Sequence, residues 1–255
     1  MDIPKEVIRT VESGIEPLKI TYSPINNCAG DGTVAYRASV TVNSLQLGTL
    51  EQQAYTAVSD SSDTGIRLAE WAMIRVARDL CKFTESDKIP MFVSVHCPVS
   101  FAEQPDMYGR IKEIFRKYRS EIPKGLCLEF NAGLLESESE NVANSLKDLR
   151  LLGVQSMICG FGAGNCPVMK LISVSPDTVM IAPEITAYTD DRGKPALIPS
   201  LLQLIKSTGA EVIAEGDIDR ERRRTLGRLG VIGIYDGKKE LTAEEITETV
   251  ESEDF

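Results

Sequence analysis

Short runs of β-branched and aliphatic residues alternate along this chain with longer stretches whose apolar positions recur every three or four residues. The short runs are LKITYSPI (18–25), TVAYRASVTV (33–42), MFVSVHC (91–97), GLCLEFN (125–131), VQSMIC (154–159), DTVMIA (177–182), AEVIAE (210–215) and LGVIGIY (229–235). Segments such as VIA, apolar on successive residues, suit strands buried on both faces. Between most of them lie helical patterns. GIRLAEWAMIRVARDLC brings Ile66, Leu68, Ala69, Ala72, Met73, Val76 and Leu80 onto one side. SENVANSLKDLRLLG does the same with Val142, Leu146, Leu149 and Leu152 and stops at Gly153, while PALIPSLLQLIKSTG stops at Gly209. ELTAEEITETV forms a last, acidic helix entered through Thr242.

The first two runs are separated by NNCAGDG, rich in residues that accept positive φ, so they pair as an antiparallel hairpin. From the third run onward strand and helix alternate as a parallel sheet requires. The expected fold is α/β, a TIM-like (β/α)8 barrel with its first strand antiparallel; an open doubly wound sheet is the rival. The barrel is expected over 17–238, after an N-terminal helix over 1–16 and before an acidic helix and tail over 239–255.

The 255 residues match the roughly 250 that such a barrel takes. A formal net charge of -10 disfavours nucleic acid and anionic membrane surfaces as partners. No apolar run approaches the roughly 18 residues of a membrane span. DRERRRTLGR (219–228) is a local exception, with Arg220, Arg222, Arg223, Arg224 and Arg228. It reads as a solvated helix face, with a docking face for an acidic partner as the alternative. The six cysteines (28, 81, 97, 127, 159, 166) show no C-x-x-C pair, and most sit in apolar runs as small hydrophobes. With no signal-peptide pattern in MDIPKEVIRT, a reducing cytoplasm is expected. His96, the only histidine, leaves little room for Ser/His or Cys/His catalysis and reads as a packed imidazole.

Six stretches in order resemble the EAL domain, the barrel of cyclic-di-GMP phosphodiesterases. TYSPINNCAGDGTVAYRASV is similar to the family's Y-Q-P-I strand, hairpin and E-A-L strand, SVHCP to V-N-x-S-P, and LEFNAGLL to the E-x-T-E strand end. LRLLGVQSMICGFGAG is similar to L-R-x-L-G…D-D-F-G-T-G, VMIA to I-K-I-D, and VIAEGDI to V-I-A-E-G-V-E. The family's enzymes cut a phosphodiester with two divalent metals held by carboxylates and an asparagine. Hard oxygen ligands are what such a site needs.

Carried over position by position, the resemblance implies a degenerate site. Arg37 stands at the E-A-L glutamate, Val95 at the asparagine, Ala132 at the second carboxylate of E-x-T-E, and Cys159 and Gly160 at the paired aspartates. Met180 and Ala182 replace the lysine and aspartate of I-K-I-D, and Ile218 replaces the last glutamate of the A-E-G-V-E stretch. Tyr235 closes the set at the last strand end, and Glu129 and Glu215 alone keep the ionic character. No metal, no cofactor and no catalytic residue is expected, and Arg37 is expected to pair with Glu129 across the mouth.

Arg37, Glu129 and Glu215 remain the candidate ligand-binding residues. Receptor members of the family use an arginine and a glutamine where this chain has Thr41 and Ser23. Loss of one charge-assisted phosphate contact costs about 1.5–3 kcal/mol, so cyclic-di-GMP binding is disfavoured. The expected function is thus a regulatory one through an unidentified protein partner, with homodimerisation near the GFGAG loop. A non-catalytic cyclic-di-GMP receptor is the alternative.

Overall fold

The computed structural model describes residues 18–44, 46–60, 62–86, 90–165, 167–187 and 197–248; the helix expected over 1–16 lies outside them. Nine strands form one sheet: β1 (Leu18–Asn27), β2 (Thr33–Ser44), β3 (Gly48–Leu50), β4 (Val93–His96), β5 (Leu126–Asn131), β6 (Gln155–Phe161), β7 (Thr178–Ile181), β8 (Glu211–Glu215) and β9 (Gly233–Tyr235). Their order is β1-β9-β8-β7-β6-β5-β4-β2-β3, and the pairing of β1 with β2 closes it into an eight-strand barrel that β3 merely flanks. β1 runs antiparallel to both of its neighbours. The remaining barrel pairs are parallel, from β2–β4 round to β8–β9. The barrel with a reversed first strand is therefore what forms, and the open sheet is not.

The hairpin between β1 and β2 closes through Asn27 N–H donating to the Gly32 carbonyl at 2.9 Å, with Gly32 at φ 93°. All eight expected strands are present with shifted ends. The last shrinks most, because residues 229–232 leave the preceding helix as a turn. There Val231 N–H donates to the Leu226 carbonyl, and Ile232 N–H reaches Val212. The long amphipathic period becomes α2 (Asp63–Glu85), which packs Ile66, Leu68, Ala69, Met73, Val76 and Leu80 against the strands. The Val142 and Leu202 faces are buried in helices Asn141–Leu151 and Leu197–Ser207. The last helix begins after Thr242 in a reciprocal cap: Thr242 N–H donates to Glu245 Oε2 at 2.7 Å and Glu245 N–H to Thr242 Oγ1 at 3.2 Å.

Several elements have no counterpart in the sequence reading, among them helix Met107–Lys117, β3 and α1 (Gln52–Ser59). α1 covers the upper part of β2. Gln52 Oε1 accepts from Val40 N–H at 2.9 Å and Tyr55 donates its hydroxyl to the Val40 carbonyl at 2.6 Å. Gln52 thus satisfies a strand amide.

Two apolar layers result. Outside the sheet lies the large core shared with the helices. Inside the barrel, Ile25, Ala35, Phe92, Cys127, Met157, Cys159, Met180, Ile213 and Tyr235 fill the lumen. A barrel packed in this way is a plug, not a pore.

One buried polar cluster fastens α2 to β1. Asp79, 1% exposed, accepts the Tyr22 hydroxyl at 2.7 Å and Lys82 Nζ at 2.9 Å, with Arg75 Nε at 3.4 Å. Tyr22→Phe removes a hydrogen bond to a charged group and is expected to cost about 1.5–3 kcal/mol in urea unfolding. An unchanged midpoint would show that the lysine and arginine alone suffice for Asp79.

Candidate functional site

The strands' carboxyl ends converge on a mouth formed by two adjoining cavities that share Ser39, Gln52, Gln53 and Tyr235 in their walls. One, of about 530 Å³, also meets Arg37, Asp60, His96, Glu129, Asn131 and Cys159. The other, of about 370 Å³, meets Ser23, Glu51, Glu215, Asp236 and Glu240.

Strand periodicity decides what reaches the mouth. On β2, Ala35 lies in the lumen, so Arg37, two residues on, points the same way one level higher. On β5, Cys127 and Glu129 repeat that step. Register pairs Ser94 with Cys127, Val95 with Leu128 and His96 with Glu129. Ser94 and His96 therefore face inward, while Val95 shares the outer face with Leu128 and packs beside Leu68, Ala69 and Ala72 of α2. Val95, expected at the mouth, is an outer-core residue.

The pairing expected for Arg37 and Glu129 is present. Arg37 Nε lies 2.9 Å from both carboxylate oxygens of Glu129, and its Nη2 also donates to Oε1. Ser94 Oγ donates to Oε2 at 2.9 Å, so Glu129 has both oxygens engaged. Glu129 is 1% exposed and the Arg37 side chain 22%. The guanidinium carbon sits 5.0 Å from the centroid of the Tyr235 ring, which covers its other face. Burial pushes the Glu129 carboxyl upward, and the Arg37 charge and hydrogen bonds outweigh it, holding the group below the usual carboxylate range. Burial likewise opposes the charge on Arg37, and Glu129 reverses that.

Glu215, at the end of β8, is half-buried and raised above its ordinary range. Burial is the main cause, opposed by Arg37 and reinforced by Glu129 and Glu184. His96 Nε2 lies 3.0 Å from both oxygens of Asp60, the residue that follows α1. Neither this contact nor Ser94 is foreseen by the sequence reading. Ser94 was within reach of alternation, since it precedes Val95 on the same strand.

The other expected positions carry no charge. Cys159 and Met180 are lumen residues, and Ala182 is fully buried at the end of β7. Ala132 opens a 3-10 turn (Ala132–Glu136) and packs partly against the outer core, as Ile218 does. Gly160 adopts φ 72° where the β6–β7 register shifts. In the GFGAG turn that follows, Gly162 has φ 97°, and a Cβ there would meet Ile185 Cγ1 at 2.4 Å. Glycine is required at that position by shape.

Burial, chiefly, together with the nearby Glu129, pushes the Cys159 thiol well above its ordinary range, despite Arg37. A thiol in that setting is inert. Iodoacetamide at pH 8 is expected to alkylate exposed Cys81 and to leave Cys159 intact until the protein unfolds, as read by peptide mass mapping. Rapid labelling of Cys159 in the native protein would contradict a purely packing role.

A barrel of (β/α)8 type, one strand reversed, with its polar residues gathered at the strand ends, defines the class. A profile of the EAL domain matches residues 10–234, and the chain belongs to the EAL domain family. An uncharacterised protein of Azorhizobium caulinodans is 20% identical over 205 residues, covering 78% of this chain and 28% of that protein. The blue light- and temperature-regulated antirepressor BluF of Escherichia coli K12 is 25% identical over 136 residues, 52% of this chain and 33% of BluF. The chain thus spans a third or less of these relatives.

Among solved structures, the EAL enzyme Bd1971 with cAMP and cyclic-di-GMP superposes at TM-score 0.83 and 17% identity, over 97% of this chain and 68% of that one. The PaMucR phosphodiesterase in complex with c-di-GMP gives 0.79 and 16%, over 94% and 99%. The FimX EAL domain of Pseudomonas aeruginosa bound to c-di-GMP gives 0.76 and 12%, over 96% and 99%. These likenesses establish the shared fold.

The two-metal site that the resemblance implies requires several free oxygen ligands. Among the described residues, no group of three or more His, Cys, Asp or Glu side chains is placed to hold a metal ion. Glu129 spends its carboxylate on Arg37 and Ser94. The donor set does not fit a pair of divalent cations.

Proposed function

We propose that this chain is a non-catalytic EAL domain that acts in bacterial signalling by associating with another protein, in the cytoplasm and as a homodimer. The observation that carries this reading is the Arg37–Glu129 pair. A fixed side-chain cation stands against the carboxylate that a metal would need. Breaking that pair to seat a metal would bury one uncompensated charge and crowd two cations together.

The mouth's charge argues in the same direction. Asp60, Glu129, Glu51, Glu215, Asp236 and Glu240 line the two cavities, with Arg37 as the cation among the described lining residues. A cyclic dinucleotide brings two phosphodiester charges into that field. Arg37 is the candidate phosphate contact, yet Glu129 already neutralises it. Among the relatives, BluF is named an antirepressor.

Titration calorimetry with cyclic-di-GMP in Mg²⁺, followed by chromatography of the same sample, tests the reading. No saturable heat and no linear dinucleotide are expected. Saturable heat without product would favour the receptor reading, and linear dinucleotide would establish an enzyme.

A further inference from the structure

The arginine-rich segment is a nine-residue helix, Arg220–Arg228, whose five arginines divide into two groups. Arg223 donates from Nε to the Asn27 carbonyl at 3.1 Å, and its Nη2 reaches the same oxygen. Arg222 pairs with Asp219 at 3.6 Å. These two fasten the helix to the β1–β2 hairpin and to its own cap. Arg220, Arg224 and Arg228 are exposed and form no ion pair with any described residue. Their spacing places them in one stripe about 12 Å long, at 1.5 Å rise per residue.

The stripe is held rigidly. Asp219 accepts from the Glu221 and Arg222 amides at 2.9 Å. Cys28 donates its thiol to the Arg223 carbonyl at 3.1 Å, and Leu226 is fully buried. Gly227 lies so near the hairpin that a Cβ would stand 3.2 Å from the Cys28 carbonyl oxygen. Elsewhere on the surface, Arg110, Arg116, Arg150 and Lys238 are each neutralised by a carboxylate of this chain, whereas exposed Lys112, Lys117, Arg119, Lys124 and Lys147 form no ion pair with any described residue. In a chain of net charge -10, three exposed guanidinium forks with no ion pair among the described residues thus stand on one fixed line.

We infer that this stripe is the docking surface for the protein partner, and that the partner presents an acidic helix with carboxylates four residues apart. The inference rests on the partner-binding reading above. Charge complementarity selects the sign, and the planar fork of arginine suits carboxylates. The stripe's length selects the occupant. A nucleic acid running past 12 Å would bring further phosphates against a chain of net charge -10, whereas two to three turns of helix end with the stripe.

The test uses the whole protein and a labelled synthetic helix with glutamate at every fourth position, followed by fluorescence anisotropy. A glutamine version of the peptide and a labelled single-stranded DNA serve as further probes. Binding of the glutamate peptide is expected to weaken at least about tenfold in the R220E/R224E/R228E variant, with an unchanged unfolding midpoint, and to fade in 1 M salt. Equal binding by both proteins, no binding, or equal binding of the glutamine peptide would overturn the inference. So would tighter binding of the DNA, or a dimer lost on charge reversal, which assigns the face to a second copy. Failure with the peptide leaves the cyclic-di-GMP titration unaffected; hydrolysis in that titration overturns the non-catalytic reading whatever the peptide does.

Discussion

Replacing Arg37 by methionine is expected to lower stability at pH 7 by about 3–5 kcal/mol, the range for stranding one partner of a buried ion pair. Glu129, 1% exposed, would keep the Ser94 hydroxyl, 2.9 Å from Oε2, and the neighbouring Cys159 thiol in place of a full counter-charge. The double change R37M/E129L removes both charges together and is expected to recover most of the loss. Urea unfolding of the three proteins measures the difference. Similar losses in the single and double variants would mean that packing of the Arg37 stem, and not its charge, holds the mouth together.

The pH dependence has opposite signs in the two proteins. In the natural chain the folded Glu129 titrates below its ordinary range, so the pair's contribution is complete above about pH 4.3 and is lost as pH falls through the folded value. In R37M, burial is opposed by His96 and the Ser94 hydrogen bond but no longer by Arg37, and it raises the folded value. The variant's stability should therefore rise as pH falls from 7 toward 5, where the natural protein gains nothing from Glu129. A variant equally unstable at both pH values would contradict an ionised, stranded carboxylate.

How the chain reveals this arrangement differs from residue to residue. Each barrel strand is a run of β-branched and aliphatic residues long enough to stand out, and the NNCAGDG loop identifies the reversed first strand. β3 has three residues, too few for alternation to register, and α1 is a short polar helix whose contacts with Val40 are tertiary. The Arg37–Glu129 contact joins residues 92 positions apart, and the strand-end placement of both makes it foreseeable. The parity of β4 is harder. One residue's shift exchanges Val95 for Ser94 and His96, because successive side chains face opposite ways. Asp60 gave no signal at all, since its contact with His96 depends on where α1 is laid across the barrel.

On the non-catalytic reading proposed above, the lumen accounts for a fold that persists without the chemistry. Cys159 and Met180 stand at positions where the resemblance calls for an aspartate and a lysine, and both now belong to the apolar filling of the barrel. Unpaired ionic groups there would require compensation, and these two side chains require none. The Arg37–Glu129 pair is closed upon itself, with Tyr235 against the guanidinium.

Divalent-ion binding therefore carries the largest expected difference from a two-metal barrel. Mn²⁺ takes hard oxygen ligands, and a two-metal centre needs several converging carboxylates to offset four positive charges. Glu129 is held by Arg37, and among the described residues no three His, Cys, Asp or Glu side chains at the mouth are placed to hold an ion. Titrating Mn²⁺ into the protein at neutral pH, with free ion followed by electron paramagnetic resonance, should give the spectrum of buffer alone at every ratio. Two Mn²⁺ withdrawn per chain at micromolar concentration would mean that the guanidinium yields its carboxylate to metal, and the account of a closed, non-catalytic mouth would fall.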